Sequence, residues 1–474
     1  MKTPLHLPLE RGGNSVPAYR QIYDRIRRAI LAGSLPPGTR LPSWNSLATQ
    51  LGVARGTVKA AYDWLAGEGY IVGRGAAGTI VPPDLRTHRA APLTRHAANN
   101  PSLAGRSSLL DSPLIRPFQM GLPALDAFPR KLWTRIAAQT ARRFDDTALG
   151  HGSSTGHRPL REAVASYLAV GRGLACTPEQ VFITCGYTGA LELACRALVE
   201  PGDKVWSEDP AYFRTLSLLE LAGARIVPVP VDEEGLRVRA GVALAADAKM
   251  AVVTPSHQSP LGMPLSLSRR LELLEWATRR KRWVLEDDYY GELNLEGRPM
   301  PSLASLDDAG RVLYAGTFSK TLVPTLRVGY LVVPADQVEH FERVALALLP
   351  APAALIQHTV AEFMRLGHFG RHMWRMRKLY AQRKASLVLA LEREFGSKLR
   401  IDAGTGLHLV AWLPQRADDE ALERRAVAAG LAVTALSSAT IRTARAPALL
   451  LSVTNVAARN ATRDVRRLAQ ALAL

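Results

Sequence analysis

Between residues 181 and 333 short apolar runs alternate with helix-periodic stretches, and this alternation admits few architectures. The runs fall at 181–184, 204–207, 225–231, 250–253, 282–285, 312–315 and 328–333, with clear helical periodicity over 189–198 and 267–279. Short, continuously apolar runs suit strands buried on both faces. Helices on either side of a mostly parallel sheet provide that environment. The expected fold class is α/β, and such sheets gather ligand groups at the carboxyl ends of their strands. The residues just after each run are therefore where chemistry should lie.

After 312–315 comes Gly316-Thr317-Phe318-Ser319-Lys320, and the chain returns through Arg327 to the next run. Hydroxyls at Thr317 and Ser319 and the Arg327 cation can converge on one phosphate. A desolvated lysine near another cation loses its proton readily, which suits Lys320 to a Schiff base with pyridoxal phosphate. A solvated surface lysine is the plain alternative. After 181–184 comes Cys185-Gly186-Tyr187-Thr188-Gly189. This turn into a helix offers N–H groups and a dipole's positive end to a phosphate. Tyr212, after 204–207, can lie on a pyridine ring or simply pack. Glu286-Asp287-Asp288-Tyr289-Tyr290 follows 282–285. A buried carboxylate facing a pyridine nitrogen keeps that nitrogen protonated, and a nearby tyrosine can bind the ring's phenolic oxygen. No histidine cluster accompanies these acids, so no metal site is expected.

The first 82 residues read differently. Tyr19, Ile22, Tyr23, Ile26 and Ile30 give a helix over 19–31 that Gly33 stops. Ser43 or Ser46 can cap a second helix through Leu47, Ala48 and Leu51, which Gly52 ends. A third runs from about 55 to 65 with Val58, Ala61, Tyr62 and Leu65 inward. Residues 70–72 and 79–81 flank a glycine-rich turn and read as a hairpin. Two short helices joined at a glycine, a third helix and a hairpin make a winged helix-turn-helix. Arg55, Thr57 and Lys59 open the third helix, the part that meets bases and phosphates in such docking. A helical interaction module without DNA binding is the bland alternative. Charge argues against it: the net charge is +18, and residues 1–83 hold ten Lys or Arg against four acids.

Residues 83–112 lack periodicity and contain Pro83, Pro92, Pro101 and Gly105, as a flexible tether does. The predicted organisation is a winged helix over 1–82, a linker over 83–112 and an α/β unit over 113–474. Three cysteines, Cys176, Cys185 and Cys195, lack metal-ligand spacing, and reduced thiols in a cytoplasmic protein are expected. No apolar run is long enough to span a bilayer, and the N-terminus has no signal-peptide core.

Two resemblances sharpen this reading. Residues 17–81 resemble the GntR family DNA-binding domain, through Pro37-Gly38-Thr39-Arg40-Leu41-Pro42-Ser43, Leu51-Gly52-Val53-Ala54-Arg55-Gly56-Thr57-Val58 and Gly78-Thr79-Ile80-Val81. The resemblance implies DNA contacts from Arg40, Ser43, Arg55, Thr57 and Lys59, and from a wing tip between Arg74 and Gly78. Asn45 stands where that family usually has arginine. Residues 118–460 resemble fold type I pyridoxal-phosphate enzymes, the aspartate aminotransferase superfamily. That likeness implies a phosphate cup at Gly186 and Tyr187, ring stacking on Tyr212, and Asp287 as partner of the ring nitrogen. It implies Lys320 as the aldimine lysine and Arg327, with Thr317 and Ser319, at the phosphate. The phenolic-oxygen tyrosine is Tyr289 or Tyr290, and Ser259 occupies the position of the asparagine that shares that role. His151 stands where the family has a tyrosine that reaches the neighbouring subunit. The arginine that grips a substrate carboxylate should lie near Leu450, and none is there. Arg214 is where some regulators hold an effector carboxylate.

A winged helix fused to this domain is similar to MocR/GabR-type transcriptional regulators. The resemblance implies a homodimeric regulator that binds an operator in double-stranded DNA, carries pyridoxal 5'-phosphate, and senses an amino compound or the cofactor itself. The alternatives are an active aminotransferase with an accessory DNA-binding domain, and a DNA-binding protein whose large domain only dimerises and has lost the cofactor.

Overall fold

The computed structural model describes residues 9–10, 16–75, 78–85, 114–150, 152–293, 295, 301–348, 351–443 and 445–473. The chain divides into two compact units, Met1–Asn99 and Asn100–Leu474. The predicted tether, beyond its first three residues, lies outside the described residues, and so does His151.

In the first unit, helices α1 (Ala18–Leu31), α2 (Trp44–Leu51) and α3 (Arg55–Gly67) surround Ile22, Ile26, Leu47, Val58, Ala61 and Leu65, all 2% exposed or less. The Ser43 hydroxyl accepts from the Ser46 N–H at 3.1 Å, so Ser43 is the cap of α2. Gly52 ends α2 at φ +61°, the left-handed conformation that glycine adopts without a Cβ penalty. Strands β1 (Val72–Gly73) and β2 (Thr79–Ile80) pair antiparallel, and Arg40 bridges to Ile80. The hairpin is shorter than the sequence suggested, because only two residues on each side pair.

The second unit is built on an eight-stranded sheet ordered β3-β10-β9-β8-β7-β4-β5-β6. Its strands are β3 (Val181–Thr184), β4 (Lys204–Asp209), β5 (Arg225–Asp232), β6 (Gly235–Leu236), β7 (Met250–Val253), β8 (Trp283–Asp288), β9 (Val312–Thr317) and β10 (Gly329–Val332). The pairs among β5, β4, β7, β8 and β9 are parallel. Strand β10 runs antiparallel to both its neighbours, because Lys320 and Arg327 lie on a tight return rather than a helical crossover. Apolar clusters cover both sheet faces. Leu191, Ala194 and Phe341 belong to one, and Leu273, Trp276 and Ala277 to the other.

A second sheet lies beyond the predicted strands. Strands β11 (Arg400–Asp402), β12 (His408–Trp412), β13 (Thr434–Ala435) and β14 (Ala448–Ser452) are ordered β11-β12-β14-β13, all antiparallel. The 28-residue helix His368–Phe395 leads into this lobe.

Candidate cofactor and effector site

The carboxyl ends of β4, β8 and β9 bring together residues far apart in sequence. Lys320 follows β9, and its Nζ donates to the Gly121 carbonyl at 2.7 Å. Burial pushes this amine down to about 8, Asp287 pulls it back up, and Arg214 lowers it further. Asp287 sits at the end of β8. Burial, then the neighbouring Asp288, hold its carboxyl well above the ordinary range, while Lys320 opposes them. Its Oδ1 is buried with no hydrogen-bond partner. Desolvation thus outweighs the attraction between Lys320 and Asp287, lowering the amine and raising the carboxyl.

A cup lies beside them. Helix Gly186–Leu198 begins at a glycine with φ +75°, directly after β3. A Cβ on Gly329 would lie 2.7 Å from Gly186 Cα, so the two backbones meet closer than any side chain permits. Arg327, itself at φ +52°, donates from Nη2 to Thr188 Oγ1 at 3.1 Å. The Thr317 hydroxyl accepts from the Ser319 N–H at 3.1 Å, which orders the turn holding Ser319 beside Gly186. A helix N-terminus, hydroxyls and one guanidinium are the kinds of group that suit an anion. Tyr187 lies in the first turn of the same helix, its hydroxyl bonded to Thr215 Oγ1 at 2.8 Å.

Tyr212 precedes helix Phe213–Leu221, with its ring 6.3 Å from that of Tyr187. Burial raises its hydroxyl, while Arg214 and Arg327 pull it back and Asp287 raises it. The two tyrosines after β8 differ. Tyr289 donates to the His257 carbonyl at 2.9 Å, and Asp287 and Glu208 are among its electrostatic neighbours. Tyr290 is bonded to His408 Nδ1 at 3.0 Å, in the small lobe. Tyr289 is therefore the tyrosine grouped with Asp287. Ser259 lies on the loop after β7, its N–H donating to Thr254 Oγ1 at 3.0 Å.

Leu450 is 2% exposed on β14, among Val231, Leu261, Val410, Leu436 and Ala448. That position is apolar core, with no room for a carboxylate clamp. Sequence reading missed the segment that closes over β4. The Asp209 carboxylate accepts N–H groups from Ile441, Arg442 and Thr443 at 2.8, 2.8 and 2.7 Å. This brings the exposed Arg442 to the strand end that leads to Tyr212 and Arg214. Asp209 and Arg442 are 233 residues apart, and no local signal joins them.

In the first unit Arg55 and Lys59 are exposed on α3, with Thr57 half-buried. Arg40 is exposed and packs against Gly78, where a Cβ would lie 2.9 Å from its Nε. Arg74 is exposed, and its N–H donates to the Gly78 carbonyl at 2.8 Å. Among the described residues no cluster of metal-ligating side chains occurs, and no helix is long and apolar enough to cross a membrane.

Residues 18–81 match the bacterial regulatory proteins of the gntR family, and residues 128–468 match aminotransferase class I and II. The chain is 39% identical to the probable rhizopine catabolism regulatory protein MocR of Rhizobium meliloti, over 91% of this chain and 88% of that one. It is 34% identical to the pyridoxine biosynthesis transcriptional regulator PdxR of Corynebacterium glutamicum, over 88% and 87%. Among solved structures it resembles LysN, the alpha-aminoadipate aminotransferase of Thermus thermophilus, complexed with N-(5'-phosphopyridoxyl)-L-leucine. That match has a TM-score of 0.69 and 30% identity, covering 76% of this chain and 92% of that one.

Proposed function

The chain belongs to the MocR-type transcriptional regulators, which join a GntR helix-turn-helix unit to an aminotransferase class I and II unit, and from that premise we propose that it is a regulator whose large unit binds pyridoxal phosphate and senses an amino compound or the cofactor itself. The observation that carries this reading is the open, buried Oδ1 of Asp287 near the Lys320 amine, with the Gly186–Arg327 cup beside them. A buried carboxylate with an unfilled oxygen is costly, and a protonated ring nitrogen is a fitting partner.

Gly186, Tyr187, Thr317, Ser319 and Arg327 would hold the phosphate, Tyr212 the ring face, and Tyr289 with Ser259 the phenolic oxygen. Bound there, pyridoxal phosphate supplies an aldehyde that captures amines covalently. Lys320, its amine lowered by burial so that it gives up its proton more readily than an ordinary lysine, and oriented by the Gly121 carbonyl, would be the residue that holds that aldehyde. Asp287 holds the proton at the ring nitrogen. Arg214, close enough to lower both Lys320 and Tyr212, is the cation for an effector carboxylate. Effector binding would favour one arrangement of the large unit and thereby change operator affinity by population shift. A homodimer would present two winged helices to two half-sites. Leu450 in apolar core argues against an efficient aminotransferase, which needs its substrate carboxylate held.

Two measurements on the full chain test the reading. Pyridoxal phosphate should give an absorbance near the visible edge that Lys320→Ala abolishes, and cofactor or amines should change operator affinity in wild type only. A protein that takes up no cofactor refutes the reading.

A further inference from the structure

We propose that Arg172 is a positioning residue for the cofactor site, acting through Asp288; this rests on the reading that the site takes pyridoxal phosphate. Arg172 closes helix Arg158–Arg172, and its side chain is 1% exposed. Its Nε lies 2.7 Å from Asp288 Oδ2. The Tyr314 hydroxyl donates to the same oxygen at 2.6 Å, and the Gly291 N–H donates to Oδ1 at 2.9 Å. The guanidinium also donates from Nη2 to Ser256 Oγ at 2.7 Å. One buried cation thus ties the end of β8 to the turn at Gly291 and to the loop after β7.

Both tied segments carry candidate cofactor contacts. Asp287 and Tyr289 flank Asp288, and Ser259 follows Ser256 on its loop. Successive residues of a strand face opposite sides of the sheet. Fixing the Asp288 carboxylate behind the sheet therefore fixes the backbone from which Asp287 projects in front. Tyr289 adds a cross-tie through its bond to the His257 carbonyl. Gly291 completes the knot, because a Cβ there would run into the Asp288 carboxylate and lie 2.7 Å from the Arg172 guanidinium.

Charge points the same way. Burial pushes Asp288 up, but Arg172, Tyr314 and their neighbours overcome it and hold this carboxyl below its ordinary range. Arg172 cancels the Asp288 charge and leaves Asp287 as the carboxylate free to take a cationic ring nitrogen. A buried ion pair often contributes little net stability relative to apolar residues of the same shape. Stability alone is thus a weak reason for placing one behind the site, and positioning is the better account.

The test uses the full chain with pyridoxal phosphate as titrant, comparing wild type with Arg172→Met, Arg172→Lys and Tyr314→Phe. Cofactor dissociation constants, the pH midpoint of the bound chromophore, urea unfolding without cofactor, and operator binding are measured. Arg172→Met should weaken cofactor binding tenfold or more and move the chromophore midpoint to higher pH, because it removes a buried cation and leaves the Asp288 charge uncompensated beside the site. Arg172→Lys should recover part of both effects, and operator binding by the first unit should be unchanged. Tyr314→Phe removes one bond to Asp288 and should weaken the cofactor severalfold, which keeps the proposal testable if Arg172→Met does not fold. Unchanged affinity and midpoint in the folded variants overturn it, whatever happens to stability. A wild-type protein that binds no cofactor overturns both this proposal and the reading beneath it.

Discussion

Replacing Lys320 by methionine should make the cofactor-free protein more stable at neutral pH. Burial lowers the amine from 10.5 to about 8, and at 1.36 kcal/mol per unit this penalises the charged form by about 3 kcal/mol. Lys320 is only half-buried at its surface, and water trims the penalty to about 2 kcal/mol. Because the folded value lies below the unfolded one, the cost is fully present below pH 8. It disappears as pH rises towards 10.5, where the unfolded chain also loses its proton. Methionine keeps the length and removes the charge. It also removes the bond to the Gly121 carbonyl, worth about 1 kcal/mol. The variant should therefore be more stable than wild type by about 1 kcal/mol at pH 7, nearly equal to it at about pH 10, and less stable by about 1 kcal/mol only above about pH 11. Urea unfolding of the apo full chain at several pH values, fitted as two units, reads this difference. Pyridoxal phosphate at a hundredfold excess over its dissociation constant should stabilise wild type by about 2.7 kcal/mol and leave the variant unmoved. A variant more than about 1 kcal/mol less stable at pH 7, or a difference independent of pH between 7 and 10, refutes the reasoning.

Three further outcomes are expected. Gly329→Ala drives a Cβ to 2.7 Å from Gly186 Cα and 2.8 Å from the Gly316 carbonyl oxygen; it should cost more than tenfold in cofactor affinity by absorbance titration while operator binding persists. Arg55→Ala should weaken operator binding by about 1–3 kcal/mol if it reads a base, or lower the salt slope by about one if it contacts a phosphate. Gel shifts at several salt concentrations separate these cases, with the chromophore intact in both. Leu450→Arg puts a cation into apolar core; urea unfolding should show a loss of about 3 kcal/mol or more, with no gain of aminotransferase turnover.

Much of this protein is written locally. The apolar runs determine the large sheet, because a strand buried on both faces needs no partner's identity to be legible. Gly52 and a serine cap, at Ser43 or Ser46 in the sequence and at Ser43 in the structure, likewise mark the helix-turn-helix from within a few residues. Lys320, Gly186 and Asp287 each lie at or just beyond a strand's carboxyl end, and Arg327 lies just before the next strand, so the rule that ligands gather there points to them from sequence. The small lobe was not legible in the same way. Its strands β11 and β13 are three and two residues long, too short for a periodic signal, and they form by packing against elements distant in sequence.

The choice between Tyr289 and Tyr290 also needed the fold, because both follow Asp287 and only the His408 bond draws Tyr290 into the small lobe. The same holds for Arg172, whose Asp288 partner lies on a distant strand, and for the 441–443 segment closed over Asp209. Sequence by itself determined which residue types stand at which strand ends, since that depends on neighbours in the chain. Tertiary structure alone decided which buried charges face one another, because desolvation and pairing depend on what folding brings within a few ångströms.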